Sequence, residues 1–211
     1  MLTDGAADAR RHLLLAHGAG AGMTTPFLTT VAQSIAARAV TVHRFELAYM
    51  AARRATGKRL PPPKAETLTG EYLEAVSAVR ARLPAGARLL IGGKSMGGRI
   101  ASLIADALHA EGVIAGLVVL GYPFHPPGKP EVLRTAHLET LATPTLIVQG
   151  VRDPFGSRSE VEGYALSPSI TILWAGDGDH DLGPRGGSGF TRKGNLAAAA
   201  DAVAGFAARL A

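Results

Sequence analysis

The stretch Arg88–Ser102 reads RLLIGGKSMGGRIAS and joins an apolar run to a helical pattern through Gly93-Lys94-Ser95-Met96-Gly97. Arg88–Ile91 has the length and composition of a buried strand, and apolar residues recur at helical spacing over Ser95–His109. The five residues between satisfy G-x-S-x-G. A strand before and a helix after is the context in which that motif holds a serine nucleophile on a sharp turn. Glycines two positions either side of Ser95 remove the Cβ atoms that would collide there. The start of the helix aims N–H groups at developing negative charge. A phosphate-binding loop ending in Gly93-Lys94-Ser95 would need glycine at position 88, where this chain has Arg88. A glycine-rich packing turn with an inert serine is the plainer alternative.

The same strand–helix alternation extends in both directions. Strands are expected at His12–Ala16, Val40–Phe45, Arg88–Ile91, Gly116–Leu120, Thr145–Gln149 and Ile170–Trp174. Helices are expected at Thr25–Arg38, Ala65–Leu83, Ser95–His109, Ser157–Ala165 and Asn195–Leu210. Nearly continuous apolar strands are those covered on both faces. The pattern predicts one α/β domain over residues 1–211, a doubly wound, mostly parallel sheet of about six strands with helices on both faces. Ligands bind such sheets beyond the carboxyl ends of the strands. The loops there read HGAGAGM, ELAYMAARR, GGKSMGG, GYPFHPPGK, GVRDPFG and GDGDHDLG, rich in Gly, His, Asp and Ser.

Composition narrows the functional classes. With 211 residues, 47% hydrophobic and 18% charged, the chain can bury a sizeable core and is not disordered. The absence of cysteine excludes disulfides, thiolate metal sites and a cysteine nucleophile. The longest apolar run, near Val113–Tyr122, falls short of the roughly 20 residues a membrane helix needs, and the first dozen residues do not resemble a signal peptide. A cytoplasmic protein without a membrane partner is expected. The net charge of +5 comes from arginines spread along the chain, a composition typical of GC-rich bacterial genomes, so nucleic acid is disfavoured as a partner.

A serine hydroxyl needs a base, itself oriented by a third group, and hydrolases with this turn carry them in the order Ser, acid, His. Asp153 is the acid that follows a strand with a histidine still to come, and His180 is the one histidine after it. His180 precedes the last helix, where the base belongs. Taken singly, Asp153 as a helix cap and His180 as a solvated loop residue are reasonable; their coincidence in this order points to catalysis. Two N–H donors for an oxyanion are expected from Met96, next to the serine, and Ala19, in the first glycine-rich loop. That loop misses the dinucleotide fingerprint because position 23 is Met. His17 reads as a residue that positions the loop. No metal or organic cofactor is expected.

On these residues the chain resembles the α/β-hydrolase superfamily. More narrowly, it is similar to a small hydrolase-like family of bacterial proteins, testis-expressed hydrolase-like proteins and the hydrolase-like domain of a subunit of the NSL histone acetyltransferase complex. The segments LLLAHGAGAGM, GGKSMGGRIAS, GYPFHPPGKPEVLRTAHL and TLIVQGVRDPFG carry the likeness. The resemblance implies a hydrolase with Ser95, Asp153 and His180 as its triad. Because the family also holds members used for assembly, a non-catalytic binding module with a vestigial triad is the alternative. Asp181, beside the histidine where related loops often carry a small polar residue, could turn His180 to a different orientation.

The basic stretch Arg53, Arg54, Lys58, Arg59 and Lys64 follows the second strand, and with His125 it supplies candidate substrate contacts for an anionic acyl donor. A proline-stiffened, solvated connector is the alternative. Only a short Pro-rich loop lies between Gly121 and Ala142, where many hydrolases insert a lid. The expected substrate is therefore a small or accessible ester or thioester.

Overall fold

The computed structural model describes residues 1–58 and 61–210. Seven strands, β1 (Leu2–Asp4), β2 (Arg11–Ala16), β3 (Thr41–Phe45), β4 (Arg88–Lys94), β5 (Gly116–Leu120), β6 (Thr145–Gly150) and β7 (Ile170–Ala175), form one sheet in the order β1-β3-β2-β4-β5-β6-β7. All neighbours run parallel except β1 against β3. Helices are α1 (Pro26–Ala36), α2 (Ala48–Thr56), α3 (Thr69–Arg80), α4 (Met96–Ala110), the single turn α5 (Arg158–Val161) and α6 (Arg192–Arg209).

The strands are buried on both sides because alternate residues feed two separate cores. Leu14, Ala16, Leu89 and Ile91 pack with α3 and α4, whereas Leu13, Leu15 and Leu90 pack with α1 and α6. The chain thus leaves β2 on one face to reach β3, and leaves β4 on the other face to reach β5. Right-handed crossovers on opposite faces make the sheet wind outward in two directions from the β2–β4 pair. Their carboxyl ends are the switch point at which ligands bind. Register fixes what meets there: Ala16 lies beside Gly93, and Lys94 beside Leu120.

The mostly parallel, doubly wound sheet is as expected, and among the described residues it carries one strand beyond those read from the sequence: β1, a three-residue antiparallel edge, largely exposed and without an apolar signal. Three other expectations need correction. Residues 46–54, read as a loop, hold most of the nine-residue helix α2, in which Met50 is the buried residue. The expected helix Ala65–Leu83 opens with a 3₁₀ turn, Ala65–Leu68, before α3. Ser157–Ala165 forms only one turn of helix, closed at its start by a capping box of Ser157 and Glu160. Between β5 and β6 there is one 3₁₀ turn, Ala136–Leu138, and no large lid. Arg59 of the basic stretch lies outside the described residues.

Candidate active site

Ser95 lies between β4 and α4, at φ +52°, ψ −117°. Positive φ on a residue with a side chain costs about 1–3 kcal/mol and persists only where its surroundings enforce it. Here the enforcement is close backbone packing. A Cβ on Gly93 would lie 2.5 Å from the Gly97 carbonyl carbon, and one on Gly97 would lie 2.5 Å from the His17 carbonyl oxygen. The turn is pinned by the Ser95 N–H on the Leu120 carbonyl (3.0 Å) and the Arg99 N–H on the Ser95 carbonyl (3.0 Å). Three positions back, the buried Tyr72 hydroxyl donates to the Gly92 carbonyl (2.6 Å) and accepts from its N–H (2.9 Å).

Asp153 and His180 follow β6 and β7 at the same edge of the sheet. Asp153 is fully buried, and its Oδ2 accepts from His180 Nδ1 (2.8 Å) and Gln149 Nε2 (3.0 Å), while Oδ1 accepts from the Phe155 N–H (2.8 Å). A carboxylate taking three donors is satisfied as an anion without contact with water. Because Nδ1 is the donor, the neutral imidazole leaves Nε2 as an acceptor toward the cavity. The Phe155 ring backs the imidazole, with centroids 4.3 Å apart. Ser95 and His180 border one cavity of about 430 Å³, together with Ala19, Phe27 and Phe155. Among the described residues no hydrogen bond joins the two side chains, and such contacts are often long before substrate binds.

Met96, as the first residue of α4, has no carbonyl within its own helix for its N–H. Ala19 comes to Ser95 on the loop after β2, which His17 and Tyr49 clamp. The buried His17 donates from Nδ1 to the Gly18 carbonyl (2.8 Å) and accepts at Nε2 from the Leu47 N–H (3.1 Å). Burial holds its pKa below the usual histidine value, in keeping with a neutral ring that both donates and accepts. Tyr49, from α2, donates to the Ala19 carbonyl (3.1 Å), and burial lifts its pKa to about 12.

Lys94 was legible only as the variable position of G-x-S-x-G, yet it runs beneath the site. Its side chain is 9% exposed, and Nζ donates to the His180 carbonyl (2.7 Å) and lies 3.4 Å from Asp181 Oδ1. Burial lowers its pKa, opposed by Asp181 and Asp153. Asp181 is thereby engaged with the lysine. Gly121, at φ +68°, leaves the space for this contact, since a Cβ there would sit 3.1 Å from both Nζ and the His180 carbonyl oxygen. The sequence signal for Lys94 is a cation at the far end of a strand that is apolar and buried from Leu89 onward.

The remaining candidates go elsewhere. Arg53 and Arg54 line a shallow pocket with Gly20, Glu46 and Met50, and Arg54 pairs with Glu46 (2.9 Å). Because α2 turns these side chains away from the serine, neither borders its cavities. His125 is buried, bonded through Nδ1 to the Pro126 carbonyl (2.8 Å) and 3.6 Å from Glu160. Lys64, from the same basic stretch, does reach a second cleft at Ser95, of about 450 Å³. Among the described residues no group of three or more His, Asp or Glu could hold a metal ion, and no helix is long and apolar enough to cross a membrane.

A strained serine between strand and helix, beside an aspartate-bound histidine at a switch point, is the arrangement of α/β hydrolases. The family described as "Alpha/beta hydrolase domain" matches residues 9–208, and the chain belongs to it. Among solved structures it is similar to the esterase domain of a Rhodothermus marinus protein, at 14% identity and a TM-score of 0.66, covering 98% of this chain and 91% of that one. An alpha-beta serine hydrolase homologue from Coxiella burnetii matches at 16% identity and 0.65, covering 99% and 87%. Est1E from Butyrivibrio proteoclasticus matches at 13% and 0.67, covering 96% and 89%. At these identities the likeness is one of fold.

Proposed function

We propose that the protein is a serine hydrolase that cleaves a small ester or thioester through an acyl-enzyme on Ser95. Within the superfamily it falls with the small hydrolase-like proteins that its glycine-rich motifs resemble. The observation that carries the reading is the 2.8 Å bond from His180 Nδ1 to the buried Asp153, made at the cavity that Ser95 borders.

His180 Nε2 takes the Ser95 proton as Oγ attacks the substrate carbonyl carbon. The oxygen that gains the electron pair is held by the N–H groups of Met96 and Ala19, and Asp153 stabilises the imidazolium. The C–O or C–S bond then breaks, and Nε2 returns the proton to the leaving group. Water repeats the cycle on the acyl-enzyme, yielding the acid and free Ser95. The contact of Asp181 with Lys94 argues against the vestigial-triad alternative, because this carboxylate is drawn to the ammonium group. The open clefts favour short acyl chains.

The test is turnover of 4-nitrophenyl acetate, 4-nitrophenyl butyrate and acetyl and butyryl thioesters by wild-type protein and Ser95→Ala. Hydrolysis that disappears in Ser95→Ala is expected. Folded wild-type protein inert toward the whole panel would sink the reading.

A further inference from the structure

Ser95, Ala19 and Phe155 border two clefts at once. The first, with His180 in its wall, is otherwise mostly apolar beside the serine, through Pro26, Phe27 and Leu28. The second runs the other way, past Met96 to Lys64, Glu66, Arg99 and Arg134. In the mechanism proposed above, His180 must protonate the leaving group, so the leaving group occupies the first cleft. The acyl portion then extends into the second.

The charges of the second cleft do not cancel. Its acidic residue, Glu66, is paired with Arg99 through one terminal nitrogen of the guanidinium. Arg99 Nε is buried without any hydrogen-bond partner. Arg134 is half-buried; the bonds that fix this position are made by its backbone, whose N–H donates to the Phe124 carbonyl (2.8 Å) and whose carbonyl accepts from the Tyr122 hydroxyl (2.8 Å). Burial and the neighbouring Arg99 charge both push the Arg134 pKa down, so its cationic form stands under repulsion. An uncompensated guanidinium lining the space where an acyl chain would extend calls for an anion. With Arg99 already neutralised by Glu66 and Lys64 exposed at the rim, the unmet charge is close to one, which matches a carboxylate.

We infer that the substrate is a half-ester or half-thioester of a small dicarboxylic acid, its free carboxylate held in the second cleft by the Arg134 guanidinium, next to the Glu66-paired Arg99. This rests on the serine-hydrolase reading and adds the charge and direction of the acyl group. Arg134 is the specificity-determining residue here.

The test compares kcat/KM for the mono-4-nitrophenyl esters of glutaric and adipic acids with those of the neutral pentanoate and hexanoate, each corrected for hydrolysis in buffer. Wild-type protein is expected to favour the anionic ester by about tenfold or more, the usual weight of a charge-assisted bond to arginine. The ratio falls toward one in Arg134→Gln and declines with added salt. In parallel, Ser95→Ala protein is titrated with monomethyl glutarate and methyl pentanoate. Equal or poorer use of the anionic esters by active wild-type protein overturns the inference and leaves the hydrolase intact. Should neither ester be turned over, Arg134-dependent binding of monomethyl glutarate sustains the anion site while the hydrolase reading falls. Failure of both measurements removes both.

Discussion

The two ends of the sheet hold cavities of different kinds. At the amino end of β4, β5 and β6 a cavity of about 680 Å³ is lined by Arg88, Ala115, Pro144 and the turns beside them. It is roomier than either cleft at Ser95. Its positive φ angles belong to Gly86 (+77°) and Gly112 (+68°), where an added Cβ would meet nothing within 4 Å. At the carboxyl end positive φ falls on residues with side chains, Ser95 (+52°), Asp177 (+48°) and Leu182 (+60°), as well as on Gly121, and Gly93 and Gly97 beside the serine face backbone at 2.5 Å. One end turns the chain in open space, while the other holds the Ser95 side chain in a strained pose at the cavity bordered by His180 and its buried Asp153 partner. Volume does not mark the site; enforced strain beside a paired histidine does.

This contrast can be broken by substitution. Ser95→Ala is expected to lower kcat on a short-chain ester by about 10⁶-fold, as is His180→Ala, with melting temperatures close to wild type. Asp153→Asn, which replaces the acceptor that fixes the imidazole tautomer, is expected to cost about 10⁴-fold. A His109→Ala change at the amino-end cavity that matched these losses would dissolve the distinction. Backbone crowding gives a second measure, read by urea unfolding. Gly97→Ala, forced against the His17 carbonyl, is expected to cost about 3 kcal/mol or more together with activity. Gly86→Ala bears only its φ, about 1–2 kcal/mol, and keeps activity.

The smallest effect lies away from both ends. His43 on β3 bonds His12 (3.1 Å), and burial with the neighbouring His12 and Arg82 charges lowers its pKa from 6.5 to about 4. Between those values the unfolded chain holds more protons than the folded one. The contribution is therefore complete above about pH 6.5 and is lost as pH falls toward 4. His43→Gln should flatten the dependence of melting temperature on pH in that window, and an unchanged slope would remove His43 as its source. Solvent at the partly exposed ring keeps the effect modest.

Much of this arrangement was legible in the sequence because the physics behind it is local. The strands covered on both faces are runs such as GLVVL and TLIVQ, and the turn at Ser95 is written in glycines two residues either side. Ser95, Asp153 and His180 could be ordered along the chain because each follows a strand that the apolar pattern reveals. What escaped depends on partners distant in sequence. The helix α2 is nine residues long with one buried residue, so Tyr49 and its hold on Ala19 were hidden in an apparent loop. Arg53 and Arg54 looked equivalent to Lys64, yet the direction in which α2 runs sends them to another pocket. Lys94 and Arg134 carry charge into places that only the tertiary packing of the 121–135 and 176–181 segments creates.

The central claim is that Ser95 is an activated nucleophile, and labelling tests it without knowledge of the substrate. Folded protein is treated with a small fluorophosphonate, and the modified residue is located by mass spectrometry in wild type, Ser95→Ala and His180→Ala. A stoichiometric adduct on Ser95 is expected, absent from the first variant and strongly slowed in the second. Wild-type protein left unlabelled, or labelled equally fast without His180, would contradict that claim.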